Sequence, residues 1–178
     1  MKIHTMGAAG VGATTLGESL AKVLNIKHFD SDEYYWFPTV PLYQKKRTHE
    51  EMAEALKKDL ENEDSWILSG SVADWGNFII PELDLEVFLY IPSNIRIKRL
   101  IDRENEKFGI KANLLGGNRY DDFVKFIDWA KKYETASMEM RSLVKHNDWL
   151  KKIKCPILRI EGDLSNEERL KKIHQYIK

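Results

Sequence analysis

Residues 7–15, Gly7-Ala8-Ala9-Gly10-Val11-Gly12-Ala13-Thr14-Thr15, decide how the rest of the chain is read. They satisfy the pattern G-x-x-x-x-G-K-[ST] at every specified position except the lysine, where Ala13 stands. Glycine permits backbone angles that turn successive N–H groups into one concavity. A helix opening at residue 13 adds its unpaired amino-terminal N–H groups and the positive end of its dipole. Main chain alone then builds an anion site, and Thr14 stands where a hydroxyl would ligate Mg²⁺ on a bound polyphosphate. The bland alternative is a glycine-rich turn; the strand before, the helix after and the paired threonines weigh against it. The missing lysine costs chemistry more than binding. One charged hydrogen bond is worth roughly 1.5–3 kcal/mol, whereas phosphoryl transfer depends almost wholly on stabilising charge as it shifts. Lys22 is no substitute, because nine residues of helix put it about 13 Å from the loop.

Working outward, strands and helices alternate. Residues 2–6 read as a strand and 13–24 as a helix with Leu16, Leu20, Val23 and Leu24 on one face. Residues 26–29 read as a second strand ending at Asp30, followed by an aromatic loop, YYWFPTVPLY, at 34–43. Residues 48–62 form an amphipathic helix with Met52, Leu56 and Leu60 inward, and 66–69 a third strand. The nearly continuous apolar run 85–91 marks a strand buried on both faces. Ser93 caps a helix over about 94–107, residues 156–160 make a fifth strand, and 165–177 a last helix whose Ser165 and Glu168 fit a capping box. Parallel neighbours need crossover connections, and right-handed crossovers place helices on both faces of the sheet. Residues 109–152 break the alternation and read as a helical insertion over the carboxyl edge, interrupted by glycines 116 and 117.

Composition sets the outer bounds. The chain has 178 residues, enough for one domain over 1–178. Lys plus Arg and Asp plus Glu both number 28, so nothing favours a nucleic-acid or anionic-membrane surface. Cys155 is the lone cysteine, read as a packing residue in a reducing compartment. No targeting segment is visible and no apolar run nears the roughly 20 residues of a membrane span. A cytoplasmic monomer is the expectation.

The loop at 7–15, HFDSDEYYW at 28–36, WILSGS at 66–71, LEVFLYIP at 85–92, RLIDR at 99–103 and ILRIEGD at 157–163 resemble the adenylate-kinase-like branch of P-loop proteins. That branch holds the nucleoside monophosphate kinases and their small-molecule kinase relatives. The chain is most similar to small bacterial topology-modulation-like members, which often carry threonine in place of the loop lysine. The resemblance implies an α/β, three-layer P-loop NTPase fold with a five-stranded parallel sheet ordered 2-3-1-4-5 and a helical lid over about 109–152. It implies ATP phosphates resting on Gly7 to Thr15 with Mg²⁺ at Thr14, and adenine near Gly162 and Asp163. Arg99 and Arg103 match arginines at the start of the lid and Arg141 the one after it. The acceptor would lie between segments 30–47 and 70–76. The lid departs from that of adenylate kinase proper in having no metal-binding cysteines.

The residues themselves supply chemistry for those places. Arg96, Arg99 and Arg103 recur at helical spacing, and with Arg119 and Arg141 they offer planar forks suited to phosphate oxygens; a solvated helix face is the alternative for any one of them. Asp30 and Asp32 follow strand two, where ligands of open parallel sheets gather. Either would order Mg²⁺ through water or take a proton from an attacking hydroxyl, and Asp32 is equally an acceptable helix N-cap. Tyr34 to Phe37 stack on a planar acceptor or bury in the core. Arg47, Ser71 and Asp74 are the remaining acceptor-side candidates. His4 reads as buried structure, and the other histidines lack metal-ligand spacing. The catalytic candidates are therefore Asp32, Arg99, Arg103 and Arg141. The expected function is phosphoryl transfer from ATP to a nucleotide or small hydroxyl acceptor; the alternative is a nucleotide-binding protein with little transferase activity because of Ala13.

Overall fold

In the computed structural model, residues 1–39 and 45–177 are described. Five strands, β1 (Lys2–Gly7), β2 (Lys27–Asp30), β3 (Trp66–Ser69), β4 (Leu85–Tyr90) and β5 (Ile157–Glu161), form one sheet. Its order is β2-β3-β1-β4-β5 and every pairing is parallel. The central strands are apolar on both sides because helices cover both. Ile3, Ile67, Val87 and Leu89 meet Leu16 and Leu20 of α1 (Ala13–Leu24) and Ile173 of α8 (Asn166–His174) in one cluster. The alternate residues Met6, Trp66, Leu68 and Phe88 meet Met52, Leu56 and Leu60 of α3 (His49–Leu60) and Trp149 of α7 (Leu143–Lys152) in another. Successive side chains of a strand point to opposite faces, so one strand feeds both cores.

α1 shows how local sequence and packing divide the work. Leu16, Gly17, Leu20 and Ala21 are buried, yet Val23 is 65% exposed, against the expectation of an inward Val23. At about 100° per residue Val23 lies roughly 90° from the centre of the buried arc, so it clears the sheet. Gly17 is required by proximity: a Cβ there would lie 2.0 Å from Ser69 Oγ. The helix therefore sits close against β3 directly behind the glycine loop.

Other boundaries shift for identifiable reasons. The segment after β2 is not all loop: α2 (Ser31–Tyr35) is a short helix. Asp30, not Asp32, is its N-cap, and Asp32 N–H donates to Asp30 Oδ1 at 2.9 Å. Residues 40–43 of the expected aromatic loop lie outside the described residues. α4 (Ser93–Phe108) begins one residue early with Pro92 as its cap and no side-chain capping bond, so Ser93 does not cap it. A 3₁₀ turn at Asn77–Glu82 carries Pro81 and had no periodic signature. The capping box of Ser165 and Glu168 is present. Residues 109–152 hold α5 (Ile110–Asn113), α6 (Tyr120–Lys131), a 3₁₀ turn (Lys132–Glu134) and α7. α6 packs through Ile127 and Ala130 on Leu100 of α4, a small cluster apart from the two sheet cores. Among the described residues no helix is long and apolar enough to cross a membrane.

Candidate nucleotide and acceptor site

The glycine loop leaves the carboxyl end of β1 and opens α1. Gly10 and Gly12 both hold φ at +85°, left-handed angles that strain any residue with a Cβ. Gly12 is the N-cap of α1 and provides no side-chain cap, which leaves the amides of Ala13, Thr14 and Thr15 to a ligand. The far side of the loop is closed: a Cβ on Gly10 would lie 2.9 Å from Arg96 O, and one on Gly7 2.4 Å from Leu89 O. Uncapped amides, glycines with no room for a side chain on the packed side and a half-buried threonine at 14 fit a polyphosphate and its Mg²⁺. Among the described residues no cluster of His, Cys, Asp and Glu would hold a metal by itself. An ion at Thr14 would take most of its ligands from phosphate and water.

Ala13 is turned into the structure. Its side chain packs on the α1-side core, and its carbonyl accepts from Thr5 Oγ1 and from Ser69 Oγ, each at 3.2 Å. Two guanidinium groups reach the loop from its outer side. Arg96, fully buried, donates to Ala9 O at 3.2 Å and pairs with Glu134 at 2.6 Å. Arg169 of α8 donates to Val11 O at 2.8 Å. The helical spacing of Arg96, Arg99 and Arg103 suggested a single exposed stripe; instead Arg96 supports the loop, while Arg99 pairs with Asp163 beyond β5. Arg103 is exposed and stands near the ring of Phe126. Arg119 lies over Phe108 and 3.9 Å from Glu104, at the root of α5 and α6.

On the acceptor side the structure brings Asp32 and Arg141 together, Nη2 to Oδ1 at 4.0 Å. Desolvation by the crowded surroundings raises the Asp32 pKa although the side chain is 76% solvent-accessible; Arg141 and Arg103 pull it down and Asp30 pushes it up. Arg103 therefore lies within electrostatic range of the same carboxylate. Asp74 is held by the largely buried Lys145, Oδ1 to Nζ at 2.7 Å. Ser71 Oγ lies 2.9 Å from His146 Nε2, and His146 Nδ1 lies 2.8 Å from the Tyr133 hydroxyl. Burial, helped by Arg141, His4 and Lys145, drops the His146 pKa to about 3, so the ring is neutral. Arg47 turns back onto the end of α2, donating to the carbonyls of Glu33, Tyr34 and Trp36 at 3.2, 3.2 and 2.8 Å. Tyr34 is buried and donates to Asp59 at 2.7 Å.

Sequence reasoning passed over Arg169, Lys145 and Tyr133, and set His146 aside for want of metal-ligand spacing. A usable signal existed for Arg169: it lies four residues before Ile173, on the apolar face of the last helix. No local signal existed for the Tyr133–His146–Ser71 chain, whose members meet only through the fold.

A parallel sheet ordered β2-β3-β1-β4-β5, with a glycine loop between its first strand and first helix, defines an adenylate-kinase-like P-loop α/β protein. Residues 3–125 match the family described as AAA domain, and the chain belongs to that family. It is 44% identical over 140 residues, 79% of this chain and 76% of the relative, to the uncharacterized protein YqaC of Bacillus subtilis (strain 168). In three dimensions it is similar to the shikimate kinase of Acinetobacter baumannii solved in complex with shikimate, at TM-score 0.60 and 16% identity, covering 99% of this chain and 92% of that one. The shikimate kinase of Bacteroides thetaiotaomicron gives a TM-score of 0.59 at 18% identity, with 99% and 98% covered.

Proposed function

We propose that this protein binds ATP with Mg²⁺ on residues Gly7 to Thr15 and phosphorylates a small hydroxyl-bearing acceptor held between α2 and the loop after β3. The carrying observation is the left-handed Gly10–Gly12 cradle leading into an uncapped helix start. Bound ATP would supply the phosphoryl group, and Mg²⁺ would offset its charge. The Thr14 hydroxyl would ligate the ion, and Arg99, Arg103 and Arg141 would meet phosphate oxygens as the 109–152 segment closes as a lid. Asp32 would take the acceptor's proton; its raised pKa moves it toward the range where a carboxylate is an effective base. Asp30, Ser71 and Asp74 would frame the acceptor. Arg47, committed to three carbonyls, would shape the α2 wall rather than grip a phosphate. The likeness to shikimate kinases supports an acceptor of that size class.

Ala13 supports a second reading, a nucleotide-binding protein with little transferase activity. One experiment separates the two. Purified protein with MgATP and a panel of hydroxy acids, polyols and nucleoside monophosphates should release ADP faster with one acceptor, and Asp32→Asn should lower that rate at least tenfold while MgATP affinity holds. Tight MgATP binding with no stimulation by any acceptor selects the second reading. No MgATP binding rejects both.

A further inference from the structure

Position 13 is where the loop pattern loses its cation, and a different cation is built against the same loop from below. Arg169 is 4% exposed. Its Nη1 lies 2.8 Å from Val11 O, and a Cβ placed on Gly12 would lie 3.1 Å from that same nitrogen. The guanidinium therefore sits against the peptide unit joining Val11 to Gly12. Its Nε is buried without a partner. Among the described residues no carboxylate comes within the 4.0 Å of an ion pair; Asp163, which attracts it from farther off, is taken by Arg99. Arg96 is the internal control. It bonds the neighbouring loop carbonyl of Ala9, but Glu134 at 2.6 Å balances its charge.

A buried cation with no counter-ion is costly unless something neutralises it. The peptide group it touches is planar and trans, so the Gly12 N–H points away from the guanidinium. Backbone N–H groups of a loop with this pattern cradle phosphate, so that direction would be the concave side of the loop. A cation on the carbonyl end polarises the unit and strengthens its N–H as a donor. We propose that Arg169 supplies the positive charge that Ala13 lacks. It acts as a positioning residue that favours polyphosphate through the Val11–Gly12 peptide, without touching the ligand. The proposal rests on the nucleotide-binding reading above. At an effective dielectric constant of about 20, two unit charges within about 12 Å of each other shift a dissociation constant by tenfold or more.

The test is calorimetric titration of the full chain with MgATP and MgADP at two salt concentrations, with thermal unfolding of each variant measured alongside. Arg169→Gln should weaken MgATP about tenfold, weaken MgADP less, and flatten the salt dependence. Arg169→Lys, which keeps the charge, should stay within about threefold of the parent. Ala13→Lys should raise MgATP affinity about tenfold in the Arg169→Gln background and under threefold in the parent, because the two cations would be redundant. The proposal is overturned if Arg169→Gln binds MgATP like the parent, or if Ala13→Lys gives the same factor in both backgrounds. If Arg169→Gln does not fold, Arg169→Lys decides: a folded variant that loses tenfold or more shows that the fork and not the charge matters, and overturns the proposal. Parent protein that binds no MgATP overturns the nucleotide reading itself, a result distinct from all of these.

Discussion

His4 and Glu86 are register partners on the adjacent strands β1 and β4, and both are fully buried. His4 Nδ1 lies 2.9 Å from Glu86 Oε2, and His4 Nε2 lies 2.8 Å from Gly70 O. With Glu86 as a carboxylate, both partners accept, so both ring nitrogens donate and the ring is an imidazolium. Burial opposes that charge, but the Glu86 charge and hydrogen bond, with the Gly70 carbonyl, leave the His4 pKa raised. The sign of the linkage follows: this stabilisation is complete below the unfolded value near 6.5 and is lost as pH rises through the folded value. Two replacements of Glu86 separate charge from hydrogen bonding. In Glu86→Gln a neutral ring keeps both bonds, with Nε2–H on Gly70 O and the new amide donating to Nδ1. The cost at pH 8 should be about 1 kcal/mol, and the alkaline loss should vanish. Glu86→Leu strands the ring. Removing one partner of a buried pair costs about 3–5 kcal/mol when the other charge persists. At neutral pH His4 limits that cost by shedding its proton, leaving one unpaired nitrogen worth about 1–3 kcal/mol. The Leu variant should therefore be hurt more at pH 5.5 than at pH 8, with Tm lower by roughly 6–12 °C per 3 kcal/mol for a chain of this size. Urea unfolding from pH 5.5 to 9 measures all of this. A Glu86→Gln protein with the parent's alkaline limb intact, or a Glu86→Leu protein within 1 kcal/mol of the parent at pH 5.5, would show that the ring is neutral and refute the reasoning.

Two further outcomes follow from the same polar interior. His146 has the opposite linkage: its depressed pKa of about 3 leaves stability intact above 6.5 and removes it as pH falls. At pH 4.5 the cost is about 2–3 kcal/mol, and His146→Gln should abolish that share of acid sensitivity, read as a smaller difference in unfolding free energy between pH 6.5 and 4.5. Gly17→Ala puts a methyl 2.0 Å from Ser69 Oγ and 2.7 Å from His28 Nε2. Displacing α1 from β3 should cost about 1–3 kcal/mol in urea unfolding and weaken MgATP binding in calorimetry, because the loop amides are carried on that helix.

Four buried or half-buried residues link the glycine loop to the loop after β3. Arg96 reaches Ala9 O and stands 5.2 Å from the Tyr133 ring; Tyr133 bonds His146, and His146 bonds Ser71. Helix α4, the 3₁₀ turn after α6, helix α7 and the loop after β3 each contribute one member. Arginine, tyrosine and histidine scattered over 96–146 give no periodic signal, since each lies on its own element and the pattern exists only in the assembled core.

Local chemistry displayed the alternation of strands and helices and the parallel sheet in the sequence alone, while the strand order 2-3-1-4-5 followed from the family resemblance. Apolar alternation with crossover helices requires a parallel sheet, the glycine spacing at 7–12 requires a loop opening a helix, and Ser165 with Glu168 requires a helix start. These are interactions among residues a few positions apart, so the chain's order displays them. Tertiary structure alone decided which charges are balanced. Arg96 finds Glu134, Arg99 finds Asp163, Arg47 folds back on α2, and Arg169 arrives under Val11 from 158 positions away. In sequence these arginines look alike; burial and the distance to the next carboxylate make them different, and both quantities exist only once the helices have docked on the sheet.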